Sequence, residues 1–273
     1  MSAVNGLLRA LFDALLLPFR SLPPIVGLLV VSLVAAIGML LVFKATSNQA
    51  RLDAVKRQIH ACLFEIRLFS DDVPAILRAQ GEILKHNAKY LALSIVPMLW
   101  MMVPLLFVVA QLQFHYGYRG LRPGEDFIVK ARLKEDAAAR PAARLEAPAG
   151  LEVSTPAVWI PSERELAWRL RARQWGDYEL KVNVDGQEYS KTAQVSPQVR
   201  RRSPERLEPT FLNQLLYPAE PPLPKESPLA SIAVSYPEAS VSIFGWQLNW
   251  LVAFFLLSIA FAFALRRRLG VTI

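Results

Sequence analysis

Three blocks of the chain, residues 25–43, 90–112 and 244–265, contain no Asp, Glu, Lys or Arg and are each about twenty residues long. A helix needs about 20 apolar residues to cross the hydrocarbon core of a bilayer. Backbone N–H and C=O groups cannot stay unpaired there, so each block is expected to be a transmembrane helix. The spans are assigned to residues 23–45, 90–113 and 244–265. Pro97 and Pro104 fall inside the second span. Membrane helices tolerate such prolines, and here they are expected to bend the helix. Trp100, Trp246 and Trp250 are interface or packing anchors on this reading. With 53% hydrophobic and 20% charged residues among 273, the chain is neither a disordered tail nor a collagen-like repeat. A single cysteine, Cys62, excludes an internal disulfide.

Flanking charge sets the expected orientation. The loop from Lys44 to Lys89 holds eight Lys/Arg against five Asp/Glu, and Arg266-Arg267-Arg268 follow the third span. Both belong in the cytoplasm by the positive-inside rule. Three spans then place the N-terminus and residues 113–243 outside. Span one is too long for a signal-peptide core, lacks a small-residue cleavage site after it and ends at Lys44. The expected location is the cytoplasmic (inner) membrane, multi-pass, with the lipid bilayer as a partner.

Four further pieces surround the spans. Residues 1–22 form an amphipathic helix, with Leu8, Leu11, Phe12, Leu15, Leu16 and Phe19 on one side and Asn5, Arg9 and Asp13 on the other. Such a helix lies in the headgroup plane or packs on the protein's own spans. Residues 46–89 form a cytoplasmic helical hairpin. Its seam is Leu52, Val55, Ile59, Cys62, Ile66 and Phe69, spaced by three and four as in a coiled coil. Pro74 starts the return arm, where Ile76, Ile83 and Tyr90 recur at seven, as do Leu77 and Leu84. Cys62 reads as a small core residue.

Residues 120–195 switch to a period of two. Phe127, Val129, Ala131 and Leu133 alternate with polar or charged neighbours beyond Ile128; Trp168, Leu170 and Ala172 alternate with arginines; Tyr178, Leu180, Val182 and Val184 follow the same pattern. Asp185-Gly186 reads as a hairpin turn into a strand ending near Val195. A small β-sandwich is expected. The stretch from Trp175 to Val182 resembles the penultimate-strand region of immunoglobulin-like domains. Residues 196–243 are proline-rich and read as a connector along the outer membrane face, with Arg200-Arg201-Arg202 either touching anionic headgroups or simply solvated. Residues 266–273 are a cytoplasmic tail.

Catalytic signatures are absent. His60, His86 and His115 have no metal-ligand spacing, and there is no phosphate-binding glycine loop or nucleophile elbow. No span carries the ionisable residue typical of pumps. Basic residues are spread over both sides without interleaved aromatics, so nucleic acid is not expected as the main ligand. No enzyme activity, metal or cofactor is expected.

The order of parts is itself informative: interfacial helix, inward span, charged hairpin, returning span, later span. It resembles the core of the YidC/Oxa/Alb insertase superfamily, especially its reduced archaeal-type members and the insertase subunit of the ER membrane complex. The match rests on residues 12–19, Lys44-Ala45-Thr46-Ser47-Asn48-Gln49, Leu63-Phe64-Glu65-Ile66-Arg67-Leu68-Phe69 and Pro97-Met98-Leu99, and covers residues 1–115 plus the last span. The resemblance implies a mainly α membrane fold. Three transmembrane helices would enclose a partly polar groove beside a cytoplasmic antiparallel coiled-coil hairpin, with an inserted extracytoplasmic immunoglobulin-like β-sandwich. It also implies insertion of client membrane proteins without an energy source, with the ribosome or other membrane biogenesis factors as further partners. Candidate groove or client-contacting residues are Ser32, Lys44, Ser94, Met98, Met101, Met102, Gln111, Asn249 and Ser258. The three methionines form either a deformable slide for clients or plain core and lipid packing. Two features depart from the family: no span holds the groove arginine of many bacterial members, and the sandwich is an addition. A membrane-anchored scaffold or receptor acting through the sandwich is the competing reading, and a transporter accessory subunit a third.

Overall fold

A computed structural model describes residues 2–135, 141–243 and 245–272, with side chains from residue 5 onward. Six α-helices lie among them: α1 (Ser2–Leu16), α2 (Pro24–Thr46), α3 (Gln49–Leu68), α4 (Val73–Tyr116), α5 (Phe211–Leu216) and α6 (Trp250–Leu269). The strands are β1 (Asp126–Leu133), β2 (Ala143–Glu146), β3 (Leu151–Val153), β4 (Val158–Ile160), β5 (Glu165–Ala172), β6 (Gly176–Val184), β7 (Gln187–Val195), β8 (Glu205–Leu207), β9 (Leu229–Val234), β10 (Ser240–Ile243) and β11 (Trp246–Asn249). The fold is thus mixed helix and sheet. Helices α2, α4 and α6 are each long and apolar enough to cross a membrane, which is compatible with a multi-pass membrane protein. The chain divides into two compact units, residues 1–28 with 109–253 and residues 29–108 with 254–273.

The first unit is built on two antiparallel sheets. One has the order β3-β5-β1-β9-β8, with β4 also pairing along β5, and the other has the order β2-β6-β7. The period of two explains the packing. Phe127, Val129, Ala131 and Leu133 of β1, and Leu166, Trp168, Leu170 and Ala172 of β5, face one core. Leu180, Val182 and Val184 of β6, with Ala193 and Val195 of β7, close it from the other sheet. Asp185 and Gly186 both have positive φ, 50° and 84°, so the β6–β7 turn is of the I′ type that matches strand twist. Tyr178 donates its hydroxyl to the Gln174 carbonyl at 3.0 Å, a corner tie found in many sandwiches.

The stretch 196–243 is not merely a connector. Leu229–Val234 forms β9 and pairs with β1 on one side and β8 on the other, while Leu223, Leu229, Ile232, Val234 and Tyr236 are buried in the sandwich core. The apolar run at 244–265 is likewise reassigned. Residues 246–249 are a strand paired with β10, and α6 starts at Trp250; Phe244 lies outside the described residues. Leu251 N–H donates to Asn249 Oδ1 at 2.8 Å, and this N-cap sets where the helix starts.

The second unit holds most of the three long helices. α4 runs unbroken from the hairpin turn through Pro97 and Pro104, so no boundary falls at residue 90. Asn48 caps α3 by accepting from Arg51 N–H, and Asp72 accepts from Ala75 N–H at the start of α4. The base of the helix pair is well packed: Leu40, Phe43, Leu52 and Val271 form a buried cluster, with Tyr90, Leu93, Met101, Leu265 and Leu269 against it. Helix α6 continues through the three arginines to Leu269. Gly270, with φ 63°, then turns the chain so that Val271 N–H reaches the Arg266 carbonyl at 2.9 Å. Thr272 docks on α3 through Gln49 Oε1 (2.7 Å) and Asp53 Oδ1 (2.6 Å). Residues 266–272 are therefore helix end and docked strap, not a free tail; Ile273 lies outside the described residues.

Candidate functional site

The polar residues expected along the spans fall into distinct roles. A serine in a helix can satisfy its hydroxyl by donating to the carbonyl four residues back. Ser94 does so, to Tyr90 O at 2.9 Å, as does Thr46 to Val42 O at 2.7 Å. Ser32 in α2 and Ser258 in α6, both in the second unit, do not: their Oγ atoms are buried and have no protein partner among the described residues. In the first unit, Gln111 near the end of α4 is buried and its Oε1 has none either. A polar group removed from water without a partner costs several kcal/mol in an apolar medium.

Two of the expected groove residues are helix caps. Lys44 donates from Nζ to the Leu269 carbonyl at 2.6 Å, placing its charge on the partial negative end of α6. Asn249 is the N-cap of that same helix. The methionines also separate: Met101 packs against the buried cluster at the hairpin base, whereas Met98 and Met102 are exposed along α4. Met98 and Met102 belong to a wide uncovered apolar surface on α4 that includes Leu91, Ile95, Leu99, Trp100 and Val103.

The hairpin seam grades from base to tip. Leu52 and Val55 are buried; Ile59, Cys62 and Ile66 are half-buried; Phe69, expected in the seam, is exposed. Phe69 lies in the turn between α3 and α4, past the last residue that the return arm can cover. On the return arm, Ile76, Ile83 and Tyr90 share a half-buried stripe with fully buried Ala79, while Leu77 and Leu84 point away. Leu63, Phe64, Leu68, Val73 and Leu77 leave the hairpin end apolar and open.

In the first unit, α1 uses its polar side for attachment. Asn5 is buried and its amide donates to the Gln214 carbonyl of α5. Asp13 accepts from Arg201 and lies 3.2 Å from His115 Nε2, while His115 Nδ1 is 3.0 Å from the Gln111 carbonyl. Burial alone would raise the Asp13 carboxyl, but the His115 hydrogen bond and the charges of Arg201, His115 and Arg20 outweigh it and hold Asp13 below the usual carboxylate value. Phe12 and Leu16 are buried, while Leu7, Leu11 and Leu17 are exposed. The helix therefore both packs on the protein and keeps an apolar strip free.

The arginine run is neither a solvated patch nor a row of free charges. Arg200 pairs with Asp177 at 2.8 Å and Arg201 with Asp13. Arg202 is 2% exposed and donates to the carbonyls of Tyr118 (3.0 Å), Ser196 (3.2 Å), Arg200 (3.3 Å) and Gln198. Burial pulls its pKa down to about 10. Nearby, fully buried Lys191 meets Glu220 at 2.7 Å and the Ser203 carbonyl at 2.7 Å; burial lowers its pKa although Glu220 opposes the shift. Charge density in the sequence signalled these residues but not their carbonyl and carboxylate partners.

No group of three or more His, Cys, Asp or Glu side chains that could hold a metal occurs among the described residues. Set against protein-family models, curated proteins and solved structures, the chain shows no match in any of the three comparisons.

Proposed function

We propose that the chain is a membrane protein insertase or chaperone, similar in plan to the YidC/Oxa/Alb superfamily, that eases client transmembrane segments into the bilayer. One observation carries the reading: Ser32 and Ser258 hold buried hydroxyls with no partner among the described residues, on helices long and apolar enough to span a membrane whose apolar flanks are largely uncovered. Groups of this kind can serve a passing polar backbone or water and so reduce the several kcal/mol cost of moving each polar group through hydrocarbon. The uncovered face of α4, with Met98 and Met102, supplies an adaptable apolar wall. In this reading the antiparallel hairpin α3–α4 is a coiled coil only near its base. It lies in the cytoplasm with the three terminal arginines and meets the client or ribosome first, while the immunoglobulin-like sandwich lies outside.

The test is site-specific photocrosslinking in membranes during synthesis of a multi-pass client. Crosslinkers at Ser32, Ser94 and Met98 are expected to capture the nascent segment, and one at Arg144 on the sandwich is not. Capture at none of the three span positions would sink the insertase reading. A chain that loses activity on deletion of residues 120–240 yet tolerates span and hairpin changes would be the scaffold or receptor instead.

A further inference from the structure

The first unit contains a pocket of about 390 Å³ that the insertase reading does not use. Its wall combines Pro24, the first residue of α2, with His115 and Tyr116 at the end of α4, and Ser240 and Val241 of β10, the strand that leads through β11 into α6. The pocket thus lies at the start of α2 and the end of α4, which on the membrane reading above is the depth at which lipid phosphates sit.

Three arginines line it, Arg119, Arg122 and Arg202, against one carboxylate, Glu238. Arg119 is matched by Glu125 at 2.9 Å. Arg122 makes no side-chain ion pair among the described residues, although Glu125 accepts its backbone N–H at 3.0 Å and lies near its charge. Arg202 makes no ion pair there either: its hydrogen bonds go to carbonyls, the Asp177 carboxylate acts on its charge only from a distance, and its Nε is buried with no partner among the described residues. A buried cation with no contacting carboxylate still favours an anion nearby. The fold has also been shaped to hold it, because a Cβ on Gly120 would meet Ser196 O at 2.0 Å and the Arg202 Nη2 at 2.9 Å. β10, whose Ser240 and Val241 line the pocket, pairs with β11, which carries Trp246, 75% exposed, and aromatic side chains of this kind anchor proteins at membrane interfaces.

We propose that this pocket binds the phosphate of an anionic phospholipid headgroup, with Arg122 and Arg202 facing the phosphodiester and Trp246 beside the lipid's glycerol and acyl region. The site is independent of client insertion, and a scaffold with the same pocket would bind the same lipid. Native mass spectrometry of the full chain in nonionic detergent, titrated with phosphatidylglycerol, reads it directly. One retained lipid per chain is expected. Arg122→Glu should lower its retention about tenfold, because each basic group near a lipid surface contributes appreciably and reversal removes it twice. Arg144→Glu, an exposed reversal on β2, should leave retention unchanged. Arg202→Met should abolish it; if that variant misfolds, the Arg122→Glu comparison stands alone. Wild-type retention in Arg122→Glu, or an equal loss in Arg144→Glu, would overturn the proposal. So would displacement of the lipid by an equal concentration of inorganic phosphate, which would make the pocket a site for the free anion.

Discussion

The two units of this chain differ in where they keep charge. In the β unit, cations are buried inside the fold against named partners: Lys191 has Glu220, Arg201 has Asp13, and Arg202 has a ring of carbonyls, although Arg201 Nη1, Arg202 Nε and the Oε1 atoms of Gln111 and Gln194 are buried with no partner among the described residues. In the helical unit, charge is confined to helix ends and the hairpin, Ser32 and Ser258 likewise have no partner among the described residues, and apolar side chains stay open along α4 and α6. The two sheets of the β unit close on one apolar core. The long helices leave apolar area open, and their packing is concentrated where they converge, at the Leu40–Phe43–Leu52–Val271 cluster.

The largest effect should come from breaking the β unit's self-sufficiency. Glu220→Ala leaves Lys191 fully buried and unpaired, which should cost about 3–5 kcal/mol. Denaturant unfolding in detergent measures it, and replacing both partners by apolar residues, Lys191→Met with Glu220→Leu, should recover most of the loss. If Glu220→Ala is silent, the contrast between the units is wrong on its strongest side.

A gradient should follow along the hairpin. Leu52→Ala at the packed base should destabilise by about 2–4 kcal/mol. Ile66→Ala should cost less, and Phe64→Ser, at a side chain 67% exposed, should fall within about 0.5 kcal/mol. Equal losses at all three positions in thermal unfolding would mean that the helix pair is packed along its full length.

A local effect, smaller than those at Glu220 and Leu52, concerns α1 and is sharpened by acid. The Asp13 carboxyl titrates below its ordinary value of 3.8 in the folded chain, so its contribution is complete above that value and is lost as pH falls through the folded one. Hydrogen exchange should show α1 loosening over that acid range in the wild-type chain. Asp13→Asn should lose about 1–2 kcal/mol of α1 protection at neutral pH and show no acid step.

Much of this was legible from residue order. The alternation in β1, β5 and β6 is plain because one face of each strand is buried, and Asp185-Gly186 is plain because few residue pairs accept two positive φ values. β9 was hidden: it lies between two strands, its burial does not alternate, and prolines crowd its flanks. The start of α6 was hidden by apolar continuity from Ile243, although Gly245 with positive φ and Asn249 ahead of Trp250 were the available stop and cap signals. Among the candidate site residues, the sequence marked Lys44 as the end of the first span and Asn249 as a polar group inside the third. Their capping roles depend on which carbonyl or amide lies within reach, and one-dimensional spacing does not carry that.

The position of β9 has a consequence for biosynthesis. β1 is flanked by β5 and β9, so a growing chain that has made residues 126–172 still exposes one unpaired edge of its central strand until residues 229–234 arrive. During that interval the half-built sheet is a template for stray strand pairing. Helix α6 starts at Trp250, so the sheet is completed only just before the last long apolar helix of the chain is made.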